Sequence, residues 1–526
     1  MPRSKKTKDS FKRDEQGRAI LGSAKEMAEW VKLGFEEQDK NRRLDDKDIL
    51  KYFIDFRKCV LYISYPIGSK THSSEIFNLC DMAGVVPGIV KLVGDPNYLF
   101  EVTYDIRFDG SVLLGNFFHY MKFDGTVSMD DVTIQGPFSG FRCLFDGYVY
   151  MQGLQVATRC DLEQCIFAKG LVMNGAKAHL FHFNYSTVKG RLSLSSASLN
   201  NQHCDKYYQS ISIGITNSSV ENLNLSKVNT DGLPIYIGDS IVNGMQIDNI
   251  SLDGVLNLHS CTLEGIITMV KDEEAPNNSI KEINLHICDV QAQCHIENSK
   301  IEIFNFAFGK IAEKGRLRLS QCNVGKLGIG SSSVLGQMDI IDSKISSLDL
   351  EDTLVQGYLN FQKNTVKKFS NRQTLRMLKN EALKVNDDVE ATKFYAQEME
   401  SLLADTKVSW WDKWSLTFNK WFSRFGENWV QAFFVTLGVS IVLTLLMLGF
   451  GSSKFTFDPS GKFMGIGSFV TALLDSINVF SIPLFRDTIN EYGLNVFGQV
   501  LYFLIKVVVA YGTYQFVVAF RKYGRN

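Results

Sequence analysis

KGRLRLSQCNVGKLGIGSSSVLGQMDIIDSKISSLDLEDTLVQGYLNFQKNTV, residues 314–366, decides how this chain folds. Apolar residues fall at Leu319, Val324, Ile329 and Val334, then at Ile340, Ile345, Leu350 and Val355, then at Phe361 and Val366. Two residues before each stands a second inward candidate, often small: Leu317, Cys322, Leu327, Ser332, Met338, Ser343, Leu348, Thr353, Leu359 and Asn364. The step is five, with one extra residue every fourth step. Neither a 3.6 nor a sustained 2.0 period fits, whereas four short strands per turn, each sending one pair of side chains inward, does.

Glycine marks the turns. Gly315, Gly336 and Gly357 are spaced by one coil, and the same phrase (Gly, any, apolar, any, apolar) recurs at Gly110, Gly125, Gly147, Gly190, Gly232 and Gly254, and imperfectly at Gly170. The pattern spans residues 100–368 and predicts a stacked rod on the order of 60 Å long at about 4.8 Å per turn. It resembles the pentapeptide-repeat proteins, and the resemblance implies a right-handed quadrilateral β-helix. The inserts NNQHCDKYYQS and VKDEEAPNNSIKE, at 200–210 and 270–282, are expected to leave the rod as loops.

Sugar-cleaving enzymes also use β-helices, but their chemistry needs two or three carboxylates, or a metal or arginine constellation, on one face. No such set recurs at the coil spacing, so a non-enzymatic chain without a cofactor is expected. Residues 105–368 hold 28 acidic and 22 basic residues, a slightly acidic balance. Lys310, Lys314, Arg316 and Arg318 in GKIAEKGRLRL form a local basic cluster, readable as a solvated face or as a phosphate-binding patch.

The whole chain, 526 residues at a formal charge of −1, is neither a polycation nor an acidic mimic of nucleic acid. Its first hundred residues (1–99) read as a basic tail followed by a helical cap for the coil. Arg3, Lys5, Lys6, Lys8, Lys12, Arg13 and Arg18 face only Asp9, Asp14 and Glu15, with no apolar core of a signal peptide, so a cytoplasmic start is expected. All ten cysteines lie between Cys59 and Cys322. The best metal candidate, His286, Cys288, Cys294 and His295, has cysteines too far apart for a zinc knuckle, so no metal site is assigned and the thiols read as buried and reduced.

After the coil, residues 369–427 carry helix formers in two runs, with Leu375, Leu378 and Ala382 on one face and Ala391, Tyr395 and Leu402 on the next. VNDDVEA between them supplies a stop and a new cap, so a helical hairpin is expected. Trp410, Trp411, Trp414, Trp421 and Trp429 then mix with Lys413, Lys420 and Arg424 as an interfacial belt. Residues 428–526 predict two membrane spans, the first free of charge from Asn428 to Ser453 and the second interrupted by Lys506. Between them FMGIGSFVTALLDSINVFSIPLF, residues 463–485, is apolar but holds Asp475, Asn478 and Pro483, and reads as a re-entrant helix, leaving both termini cytoplasmic.

Span, re-entrant helix, span resembles the two-transmembrane channel subunits, which assemble around a pore, as a tetramer by simplest closure; the potassium filter TVGYG is absent. Gln499, Lys506 and Thr513 are seven apart, with Tyr502 on the same side, and this stripe is the expected pore lining. A ring of lysines attracts anions. Two other roles for Lys506 stand beside it: an ion pair with Asp475, and snorkelling to a headgroup.

The multidomain β + α membrane layout also resembles the channel effectors of the Hailong anti-phage defence system. That resemblance implies a bacterial inner-membrane channel that depolarises the infected cell, gated by a nucleotide or single-stranded DNA oligomer from a partner nucleotidyltransferase. The competing expectation is a membrane-tethered scaffold whose β-helix binds a protein partner.

Overall fold

The computed structural model describes residues 7–21, 24–41, 53–57, 59–62, 90–95, 98–114, 118–199, 211–248, 252–270, 279–453, 466–478 and 492–521. They form two compact units, 1–368 and 369–526.

The first unit is a β-solenoid of about eleven turns. Strands one coil apart pair in parallel register: Gln293–Glu297 on Arg316–Ser320, that on Gln337–Ile341, and that on Tyr358–Gln362. Leu317, Leu319, Val324, Leu327, Ile329, Val334, Ile340, Ile345, Leu348 and Leu350 are all buried, so the five-residue step is the inward face of the coil. Val355, Phe361 and Val366, in the last turn, are only half-buried. Further back, Phe123, Phe145 and Phe167 stack through the core with centroids 4.9 and 4.8 Å apart and rings within a few degrees of parallel. Ring spacing therefore follows strand spacing.

The corners explain the small inward residues. Tyr185, Asn217, Asp239 and Ser331 each take a left-handed φ near 49°, which turns the chain, and Ser186, Ser218, Ser240 and Ser332 follow them. Each serine hydroxyl donates to the carbonyl two residues back, at 2.6–3.1 Å. Each also accepts a main-chain N–H from the preceding turn (Cys165, Ser186, Ser218 and Gly309). Cys143, Cys165, Cys261 and Cys288 occupy the same corner, their thiols donating to the equivalent carbonyls at 3.4–3.5 Å. Burial pushes the Cys59 and Cys294 thiols up to about 12 and the Cys322 thiol to about 11. Gly315, Gly336 and Gly357 answer a different demand, since a Cβ at each would stand 2.0–2.2 Å from a carbonyl oxygen of the preceding turn.

The coil also reaches back beyond residue 100. Phe53–Asp55 pairs with Asp105–Arg107, and Cys59–Tyr62 lies between Ala19–Leu21 and Val112–Leu114, all in parallel. The hairpin Val90–Asp95 with Tyr98–Val102 is antiparallel and joins the stack through Met121–Phe123. Helix α1, Ala24–Asn41, packs on this end, and its Trp30 indole donates to the Asp55 carbonyl at 2.8 Å. Several tail cations are already neutralised, Lys8 by Glu37 and Arg18 by Asp14. The insert 200–210 and residues 271–278 lie outside the described residues, but the strand after each pairs with the strand one coil before it, Phe181 with Ile213 and Leu256 with Ile283.

The second unit is helical: α2 (Arg372–Lys384), α3 (Asp388–Ala404), α4 (Trp410–Ser423), α5 (Trp429–Gly451), α6 (Ile466–Ile477) and α7 (Val496–Arg521). Asn371 and Asp387 cap α2 and α3 by accepting the Thr374 and Glu390 amides, forming the hairpin that VNDDVEA predicts. Helices α5 and α7 are long and apolar enough to cross a membrane. Trp410, Trp411, Trp414 and Trp421 on α4 are exposed, Trp411 by 75%. With these helices the chain fits a membrane-associated β-solenoid protein.

Candidate functional site

Two faces rich in small residues bring α5 and α7 together. On α5, Ala432, Thr436, Ser440, Thr444 and Leu448 recur every fourth residue; on α7, Gly498, Ile505, Gly512 and Ala519 recur every seventh. Spacings of this kind keep each set on one side of its helix and let the backbones approach closely. A Cβ on Gly498 would stand 2.6 Å from the Gly451 carbonyl oxygen, and one on Gly512 would stand 2.0 Å from Thr436 Oγ1. The Thr436 and Ser440 hydroxyls donate to the carbonyls of Ala432 and Thr436, one turn back, which satisfies both protons within the apolar seam. At the other end of the pair, buried Ser423 donates to the Gln515 amide oxygen at 2.8 Å.

The end of α5 and the start of α7 are stapled. The Asn495 amide donates to the Gly451 carbonyl, and the hydroxyls of Ser452 and Ser453 donate to the carbonyls of Tyr492 and Gly493. The chain between 453 and 492 thus leaves and returns at one place, carrying α6 with it. Helix α6 packs into a buried cluster of Met447, Leu448, Ala472, Tyr492, Leu494, Leu501, Tyr502, Ile505 and Val509.

Lys506 reaches from α7 to the C-terminal end of α6. Its amine donates to the main-chain carbonyls of Asp475 and Asn478, the latter at 2.7 Å, and lies 5.1 Å from the centroid of the Tyr502 ring. Lys506 is 8% exposed and Tyr502 1%. The last carbonyls of a helix lack intrahelical donors and carry the negative end of its dipole, so they compensate an ammonium seated there. The Asp475 carboxylate accepts from Tyr492 Oη at 3.3 Å.

Of the four residues expected to line a pore, the structure brings Tyr502 and Lys506 together against α6. Gln499 sits half-buried at the start of α7, its amide donating to the Leu494 carbonyl at 3.2 Å. Thr513 is exposed instead, beside a groove of about 390 Å³ bounded by Phe433, Thr436, Ser440, Ile477, Gly512 and Phe516. Asn478 is exposed and offers Lys506 its carbonyl.

In the hairpin, the periodicity misses a buried acid. Glu398, 2% exposed, receives Arg376 at 3.0 Å and Lys379 at 2.9 Å from α2. The α3 face that packs is Ala391, Phe394 and Glu398, turned from the expected Ala391, Tyr395 and Leu402, which leaves Tyr395 and Leu402 half-buried. Burial would raise the Glu398 pKa, but the hydrogen bonds from Lys379 and Arg376 outweigh it and hold the carboxyl below its ordinary value. A depressed pKa adds stability above the unfolded pKa of about 4.3, and that stability is lost as pH falls through the folded pKa. Acid titration of the α2–α3 amides by hydrogen exchange should show protection falling below about pH 4. In Glu398→Gln that fall should be absent, with protection already lower at pH 7.

On the solenoid, the cluster Lys310, Lys314, Arg316 and Arg318 is divided. Lys310 lies on the short strand Lys310–Ile311 and Lys314 in the turn that follows, while Arg316 and Arg318 share the next strand. Arg316 is committed to Asp339, which is fully buried and also accepts from the Gln337 amide at 3.0 Å. Arg318 stands in register between His295 and Asp339, with Asn360 beyond. His295 Nε2, Arg318 Nε and Asn360 Oδ1 are buried without hydrogen-bond partners. Burial, then the charges of Arg318 and Arg316, lower the His295 pKa. Residues 318, 339 and 360 are one 21-residue coil apart, so the column is written in the repeat; reading basic residues alone hides its acid.

A second face carries an amide ladder, Asn284 donating to Asn257 at 2.8 Å and Asn305 to Asn284 at 2.9 Å, beside a groove of about 570 Å³ floored by Gly328 and Gly330. Of the metal candidates, Cys288 and Cys294 point into the core, whereas His286 stacks on His259 at 5.0 Å. Among the described residues no group of three His, Cys, Asp or Glu side chains is placed to hold a metal ion. Comparison of the chain with protein families, with curated proteins and with solved structures returns no match in any of the three.

Proposed function

We propose that this protein is a ligand-gated ion channel of the bacterial inner membrane, in which α5, α6 and α7 of several copies, four by the simplest closure, surround a pore and the β-solenoid is the cytoplasmic sensor. The observation that carries the reading is the excursion holding α6. Lys506 stands ten residues along α7 from Val496, about 15 Å at 1.5 Å per residue, which is half of a bilayer core of about 30 Å. Its contact with Asp475 and Asn478 therefore sets the end of a short helix at mid-depth while that helix's flanks stay stapled at one surface. A simple anchor has no use for such a helix, whereas non-spanning backbone at that depth is tolerated against protein or a water-filled path.

The exposed tryptophans of α4 suit the headgroup layer, and basic groups before α5 and after α7 favour cytoplasmic termini. The gate answers to a ligand on the solenoid. The Arg318 column favours a phosphate-bearing one, a nucleotide or single-stranded DNA oligomer supplied by a partner nucleotidyltransferase, and the physiological outcome is depolarisation of a phage-infected cell. A lysine ring at mid-depth favours anions.

One observation favours a second reading. Lys506 is buried and finds its hydrogen-bond partners within a single chain, so it needs no pore, as in a membrane-tethered scaffold for a protein partner. Single-channel recording of the purified protein across a chloride gradient separates the two. Unitary currents reversing near the chloride potential are expected; an intact oligomer that stays silent with and without nucleotide and oligonucleotide ligands would establish the scaffold.

A further inference from the structure

The C-terminal end of α6 is built to hold a cation. Helix α6 has no basic residue in its own last turn, so its terminal carbonyls take their positive partner from elsewhere in the fold. Around the Lys506 amine stand the carbonyls of Asp475 and Asn478 and the face of Tyr502, with the Asp475 carboxylate held close by Tyr492. Carbonyl oxygens and an aromatic face are the groups that replace the hydration shell of a monovalent cation. Subtract the amine, and what is left is a helix C-terminus with two main-chain carbonyls directed at the face of Tyr502.

We infer that this is a monovalent-cation site whose resident is the tethered Lys506 ammonium. Lys506 is then the specificity-determining residue of the membrane unit. It fills from within the seat that a potassium-sized ion would take and so denies cations the mid-depth position. The site itself stands on the geometry of one chain. Only its consequence for permeation rests on the channel reading.

The test uses full-length protein in lipid nanodiscs, comparing potassium chloride with N-methylglucamine chloride at matched ionic strength. Wild type should melt at the same temperature in both. Lys506→Met should melt lower than wild type in N-methylglucamine and recover by about 4 °C or more in potassium, with rubidium acting alike. Lys506→Gln, whose amide keeps one donor, provides the same comparison should the methionine variant fail to fold. Equal melting of the folded variants in the two salts overturns the inference, whatever the wild type conducts. Potassium-dependent recovery supports it even if neither protein passes ions, a result that would count against the channel alone. Rubidium uptake into vesicles by Lys506→Met, absent in wild type, would support both.

Discussion

Phe145→Ala is expected to destabilise the solenoid by about 4 kcal/mol, the usual range for deleting a fully buried phenylalanine being 3–5 kcal/mol. Phe145 has no exposed surface and lies between Phe123 and Phe167, so the truncation removes two stacked faces at once and leaves a void that rungs about 4.8 Å apart cannot close. In a stacked coil each turn contacts only its neighbours, so the loss should be local. Hydrogen exchange should lose protection across residues 118–190 and keep it across 280–360. Phe145→Leu, which refills most of the volume, should cost roughly a third as much. Uniform loss over both regions would show that the coil unfolds as one cooperative block.

The coil is legible because its inward face repeats. From Leu317 to Leu350 every position on the five-residue step is buried, including the serines and the cysteine, whose smallness reflects the corner hydrogen bonds. What precedes residue 100 is not legible, since strands as short as Phe53–Asp55 show no step and the strand Val90–Asp95 runs antiparallel to its neighbour Tyr98–Val102. In α7 the spacing of seven puts Gln499, Lys506 and Thr513 on one side of the helix, yet only Lys506 of the three is buried, because packing differs along the helix and spacing alone does not report it. Nor does any side-chain pattern announce the partner of Lys506, because it is main-chain carbonyl. Asp475 and Asn478 were visible as polar residues in an apolar run; their contribution to Lys506 is backbone that any residue would supply.

The glycine seam gives the other large effect. Gly498→Leu should separate α5 from α7 and cost at least about 3 kcal/mol, the upper end for overpacking, because the obstructing atoms are backbone on both sides. A Cβ at 498 meets the Gly451 oxygen at 2.6 Å and the Gly451 carbonyl carbon and Cα at 2.9 Å, and no rotamer relieves that. The same Gly451 oxygen accepts the Asn495 amide, so the substitution also opens the staple from which α6 departs. Two consequences should appear together in detergent-solubilised protein: a lower melting temperature and faster exchange of the α6 amides. Gly438→Leu is the matched control, for nothing lies within 4 Å of its Cβ, and exchanging glycine for leucine there should leave the helix up to about 1 kcal/mol more stable. Equal behaviour of the two variants would mean that the seam does not hold the helices at this distance. If Gly498→Leu alone releases α6, then the position of the mid-depth helix, and with it the seat of Lys506, is set by the contact between two glycines at the end of the bundle.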